Sequence, residues 1–424
     1  MFKKTTLNNG LRIVVTPLQN TRAVTVLVLI GTGSKYEVKR INGISHLLEH
    51  MIFKGTKKRP NTLDIAKELD RVGGIYNAFT GKEFMGFWVK LDAKHFDLSC
   101  DVVSDMIFNS LFQSKELARE KKVIFEEINM IKDNPQGYVL DLWEELLYGD
   151  QPAGWMISGS KETLEKVSRR DVIDYFKSHF VAGNVVISIA GNLSAEKALE
   201  TAKRFFGKFK RFQKPAKRSV VEKQTTPQVL VHTKKTDQAH LCLGVRAFDM
   251  FDKRRHALDL IAGILGGVMS SRLFIKIREQ RGLAYYVRTM PEHYTDSGYL
   301  VTHAGVDTKK LPEVLEIILR EYKDIKDKKV SKEELTKIKD NAKGHLYLGL
   351  ETSDAWASYN GIQEILRGEI STPEKECLKI DKITQEDIMK VAEEIFQSRR
   401  LNLAATGPFK DKKQFQSILK KFEL

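Results

Sequence analysis

Apolar residues recur with a helical period from Ser114 to Ile131, where Leu117, Ile124, Ile128 and Ile131 line up as one stripe. At about 100° per residue, Glu126 points away from that stripe, while Glu127 and Glu120, seven apart, share its flank. Val24 to Ile30 is the longest clear apolar run. The pattern also repeats. Ser168-Arg-Arg-Asp171 opens a helix ending near Phe180, followed by a strand from Val185 to Ala190 and Gly191. Thr384-Gln-Glu-Asp387 opens the same sequence of elements 216 residues later, ending near Phe396 and continuing through Leu401 to Thr406 and Gly407. Ser114-Lys-Glu-Leu117 is echoed by Ser331-Lys-Glu-Glu-Leu335. Each half runs strand, helix, two strands, then helices. This predicts an α+β fold of two tandem homologous domains, each a mixed β-sheet backed by helices. The expected boundaries are 1–210 and 229–424, with a linker at 211–228 marked by Lys214-Pro215 and Thr226-Pro227.

Length and composition agree with two domains. At 424 residues and 42% hydrophobic content, two cores of about 200 residues each are expected. Cys100, Cys242 and Cys377 are far apart and lack C-x-x-C spacing, so they read as reduced thiols of a cytosolic protein. The amino terminus carries Lys3 and Lys4, but its short apolar run reads as a strand and lacks a signal-peptide core. No stretch approaches the roughly 18 apolar residues that span a bilayer. The net charge of +15 raises nucleic acid as a partner. However, Lys and Arg alternate with Glu and Asp at helical spacing, as from Tyr322 to Lys343, which is the pattern of a solvated face. No nucleic-acid partner is expected.

The chemistry concentrates in His46-Leu47-Leu48-Glu49-His50. Residues four apart on a helix stack one turn above another, so His46 and His50 aim two imidazoles at one point, with Glu49 beside the same face. Two histidines leave a divalent ion short of ligands, and a nearby carboxylate can take a proton from water. The order H-x-x-E-H inverts the commoner zinc-protease motif. A third ligand must come from another element, and periodicity favours Glu127 over Glu126. Glu120 is expected behind the ligands, holding an imidazole N–H. A helical Glu is ordinarily a solvated charge; only the pairing with His46 and His50 sets Glu127 apart. The second half has apolar Leu260-Ile-Ala-Gly-Ile-Leu265 at the matching place, so one metal per chain is expected.

With these residues the chain resembles the inverted-motif zinc peptidases of the pitrilysin, insulysin and mitochondrial-processing-peptidase type. That family places a ligand Glu 76 residues beyond its motif, and 76 residues separate His50 from Glu127 here. Leu7 to Val15 resembles its opening strand, Gly43 to Thr56 its metal helix and exit, and Gly74-Ile-Tyr-Asn-Ala-Phe-Thr80 its substrate-holding edge strand. Met85, Gly86 and Val268 depart from the usual pattern, away from any ligand. The resemblance implies one Zn²⁺ held by His46, His50 and Glu127, with Glu49 as base. Extended peptides would pair beside Asn77 and Ala78, with loose side-chain preference. Arg278 and Tyr285 match the family's Arg/Tyr pair, which closes on the zinc from the opposite half of a chamber. Because this chain is one half of the double-length members, the resemblance implies a homodimer or a heterodimer with a related chain. The family also contains non-catalytic subunits, but those lose motif residues that are all present here.

Overall fold

In the computed structural model, which describes residues 2–422, the apolar runs become eleven strands in two sheets. The first sheet contains β1 (Lys3–Thr6), β2 (Arg12–Pro17), β3 (Ala23–Ile30), β4 (Ile75–Thr80), β5 (Met85–Asp92) and β6 (Val185–Gly191). Its order is β1-β2-β6-β3-β5-β4. The second contains β7 (Gln228–Thr233), β8 (Gln238–Ala247), β9 (Ala284–His293), β10 (Gly298–Asp307) and β11 (Leu401–Gly407), in the order β7-β11-β8-β10-β9. The first sheet pairs β2 with β6 in parallel and is otherwise antiparallel; the second does the same with β7 and β11. The internal repeat is thus a repeat of topology, with β1 added at one edge.

The matching helix signals also hold. Ser168 and Thr384 each accept from the amide three residues on, and Asp171 and Asp387 bond back to complete capping boxes. Strand β3 is buried along nearly its whole length, and its one polar residue, Thr25, is met by the Ser353 hydroxyl at 2.8 Å. The opening segment departs from the expected single strand. Leu7 to Leu11 is a tight turn between β1 and β2, because Gly10 takes φ +93° and its amide reaches back to the Leu7 carbonyl. Ile131 is only half-buried, so the stripe of its helix consists of Leu117, Glu120, Ile124 and Ile128.

The chain divides into two compact units that are not contiguous in sequence. One takes residues up to Ile128, Met156–Arg218 and Tyr347–Ser371; the other takes Asn129–Trp155, Ser219–Leu346 and the residues from Thr372 on. Two helices therefore lie outside the contiguous halves expected from the repeat. Pro135–Tyr148 packs on the second sheet through Val139, Leu142 and Trp143, against Cys242, Val301 and Ala404. Ser353–Arg367 packs on the first sheet through Ala357 and Ile365, against Val14, Leu27 and Leu29. Polar pairs fix the latter: Asn360 donates to Thr16 at 2.8 Å, Ser188 to the Ala357 carbonyl at 2.7 Å, and Arg12 and Lys4 flank buried Glu364. Gly361 is needed there, since a Cβ would meet Leu29 at 2.6 Å. All three cysteines are buried and free. No helix among the described residues is long and apolar enough to cross a membrane.

Candidate metal centre

The helix Ile44–Ile52 is seated on the first sheet by Leu47, Leu48, Met51 and Ile52, which join the core formed with Val24, Val26 and Phe87. That seating fixes the opposite flank, where His46, Glu49 and His50 lie half-buried. The helix begins after Gly43, whose φ of +95° no L-residue adopts easily. Its free amides are met by Glu37, which accepts from Gly43 and Ser45 at 2.8 Å each and from Asn42. A carboxylate suits the positive end of a helix dipole. Burial nevertheless raises the Glu37 carboxyl above the ordinary range, and the hydrogen bonds work against that rise. The helix's exit loop is pinned by fully buried Arg59, bonded to Asp105, Asp101 and Glu68 at 2.6–2.8 Å.

The helix Ser114–Asp133 brings Glu127 to the two imidazoles, while Glu126 is exposed to solvent. His46 Nε2 lies 3.6 Å from one Glu127 oxygen and His50 Nε2 lies 3.7 Å from the other. Zinc bonds of about 2.0–2.1 Å in a tetrahedron set ligand atoms roughly 3.3 Å apart; one donor atom from each of the three residues lies within 4.8 Å of the others, so the set suits the ion once the side chains draw in. They are the one such cluster of His, Cys, Asp and Glu found among the described residues. Burial, with a smaller contribution from His50, lowers the His46 pKa to about 4 and so keeps the ring neutral, the form that ligates. Behind them, Glu120 accepts from His50 Nδ1 at 3.1 Å and is itself paired with Lys54 at 2.9 Å. This holds Nδ1 as the protonated nitrogen and leaves Nε2 facing Glu127.

Glu49 sits beside the cluster on the same helix. Burial raises its carboxyl above the ordinary range; the Thr80 hydroxyl, donating to Oε2 at 2.5 Å, opposes the rise. Thr80 is the last residue of β4, the edge strand that carries Asn77 and Ala78. The Asn77 side chain accepts from the Ala78 amide at 2.9 Å, so one main-chain donor of this edge is covered by its own neighbour. In the other unit, the Arg278 guanidinium stands 5.7 Å from the ring centre of Tyr285 and 5.0 Å from that of Phe274. Tyr285 is 76% exposed on the edge strand β9, and Gly282 before it takes φ +59°.

Glu37, Lys54 and Thr80 are the participants that the motif does not announce. Each reaches the site across a loop or from another element, where no local period marks it.

An α+β repeat with a His-His-Glu cluster and an adjacent carboxylate defines a metallopeptidase-type centre, and comparison with known proteins agrees. The insulinase profile of peptidase family M16 matches residues 12–161, and the profile described as the peptidase M16 inactive domain matches residues 166–342. An uncharacterised zinc protease of Bacillus subtilis is 37% identical over 397 residues, spanning 93% of this chain and 96% of its own. One from Streptomyces coelicolor is 32% identical over 416 residues, with 97% and 90% covered. A crystal structure of a protease from Helicobacter pylori superimposes with a TM-score of 0.90 at 24% identity, over 96% of this chain and 99% of that one. The chain belongs to peptidase family M16.

Proposed function

We propose that the protein is a zinc-dependent endopeptidase acting on extended, unfolded peptides. The observation that carries this is the convergence of His46, His50 and Glu127 with a half-buried Glu49 alongside. Zinc held by those three residues supplies a Lewis acid that acidifies water and polarises a substrate carbonyl. Glu49 accepts the proton from the attacking water and returns it to the leaving amine. Its raised affinity for a proton, caused by burial, suits a group that must first take one and then give it back. Glu120 and Lys54 hold the His50 ring in the ligating tautomer throughout.

The substrate is proposed to add as a strand beside Asn77 and Ala78 on the free edge of β4, displacing the Asn77 side chain from the Ala78 amide. Backbone pairing is indifferent to side chains, so cleavage preference is loose. The active species is proposed to be a homodimer in which Arg278 and Tyr285 of one chain serve the zinc site of the other by donating to the carbonyl oxygen. The exposure of Tyr285 and its proximity to Arg278 support this assignment. The test is digestion of a mixed peptide library, read by mass spectrometry, with and without a chelator. Cleavage that stops on chelation and returns with zinc supports the reading; cleavage indifferent to chelation overturns it.

A further inference from the structure

We propose that Thr80 is a positioning residue for Glu49, held on target by a hairpin that the fold anchors independently of the metal. This inference rests on the peptidase reading above. The hydroxyl of Thr80 donates to Glu49 Oε2 at 2.5 Å, a short charge-assisted bond to the very group assigned as base. A carboxylate on a helix otherwise turns freely about its last torsion, and a fixed donor on one oxygen removes that freedom. Threonine suits the task because its β-branch restricts the side chain to few rotamers.

The framework behind Thr80 is built as an anchor. Immediately after it, the chain turns at Gly81–Phe84, closed by the Gly81 amide bonding the Phe84 carbonyl at 2.9 Å. The turn is stitched to the segment after β3 by the Ser34 amide to the Gly81 carbonyl at 3.3 Å and the Lys35 amide to the Lys82 carbonyl at 2.9 Å. That approach requires Gly33, since a Cβ there would stand 2.2 Å from the Gly81 oxygen. Within the turn, the buried Glu83 carboxylate pairs with buried Lys35 at 3.0 Å and with Lys217 at 3.2 Å. Breaking such a buried pair leaves an uncompensated charge, so the turn is held strongly in place. On the far side, Thr80 pairs with Met85 in the β4–β5 ladder. None of these contacts uses a metal ligand. The arrangement also connects two jobs, because the strand proposed to receive the peptide ends on the hydroxyl that sets the base.

The experiment compares Thr80→Val and Thr80→Ser with the unaltered chain, measuring kcat and KM on a fluorogenic peptide, zinc content and thermal melting. Valine keeps the shape and removes the donor; serine keeps the donor. Thr80→Val is expected to lower kcat by roughly 10- to 100-fold, the scale of a misplaced reacting group, with KM and zinc content unchanged. Thr80→Ser is expected to recover most of that loss. The proposal is overturned if valine leaves kcat within about twofold, if only KM moves, if zinc is lost, or if serine falls as far as valine. An unaltered chain that cuts no peptide overturns the peptidase reading and this role together. An active chain indifferent to Thr80→Val overturns the positioning role alone.

Discussion

Glu126 and Glu127 are neighbours in sequence with opposite surroundings, one exposed and one within 3.7 Å of both histidines. Removing the charge from each therefore separates ligand from bystander. Glu127→Gln is expected to strip or strongly weaken zinc binding, measured by metal analysis after dialysis, whereas Glu126→Gln leaves stoichiometry intact. Equal loss from both would contradict the helix-face assignment. His46, Glu49 and His50 were legible from spacing, because helix geometry converts spacing into direction, and periodicity placed Glu127 and Glu120 on one flank once the two histidines called for a third ligand. Lys54, Glu37 and Thr80 were not. Lys54 and Glu37 stand four residues past His50 and six before Gly43, in loops with no fixed period, and Thr80 arrives from a different strand.

At the scale of elements, the metal helix depends on what holds its two ends. Arg59 is buried among three carboxylates at the exit loop, and Arg59→Met would leave buried Asp105 without its cation, while Asp101 keeps Lys58. A loss of about 3–5 kcal/mol in unfolding free energy is expected from denaturant titration. A change under about 1 kcal/mol would show that the loop is held otherwise. A second element-level expectation concerns acid. In the helix Arg169–His179, burial lowers the His179 pKa to about 4, and burial likewise lowers that of His303 on β10 to about 4. The unfolded chain binds these protons from about pH 6.5 downward, before the folded one does. The stability held by the neutral rings is thus complete above pH 6.5 and declines as pH falls towards 4. Urea midpoints measured between pH 7 and 4.5 should decrease, with His179→Gln flattening part of the slope. The capping boxes at Ser168 and Thr384 were visible in sequence because their hydrogen bonds are local. The turn at Gly10 has a local signal in Asn9-Gly10, but the mostly apolar run that follows it from Leu11 to Val15 gives the segment the look of one strand.

Over the whole molecule, the repeat was readable as a recurrence of elements, and the two sheets share one strand order and sense. The exchange of the helices Pro135–Tyr148 and Ser353–Arg367 was not readable, since amphipathic pattern shows which face is buried without showing against which sheet. The proposed homodimer carries its own test. Mixing Glu49→Gln chains with Tyr285→Phe chains should recover activity that neither shows alone, because one of the two composite sites in a mixed dimer is intact. No recovery, or full activity in a sedimenting monomer, would contradict the pairing. The proposed peptidase chemistry depends on Glu49 moving a proton while three other residues hold the metal. Its most direct test is turnover of a cleaved peptide by the zinc-loaded Glu49→Gln chain, with metal content measured on the same sample. The predicted result is one zinc per chain and a fall in kcat of about 10²- to 10⁴-fold. Retained turnover, or a chain that has lost its zinc, would contradict the role of Glu49 as base.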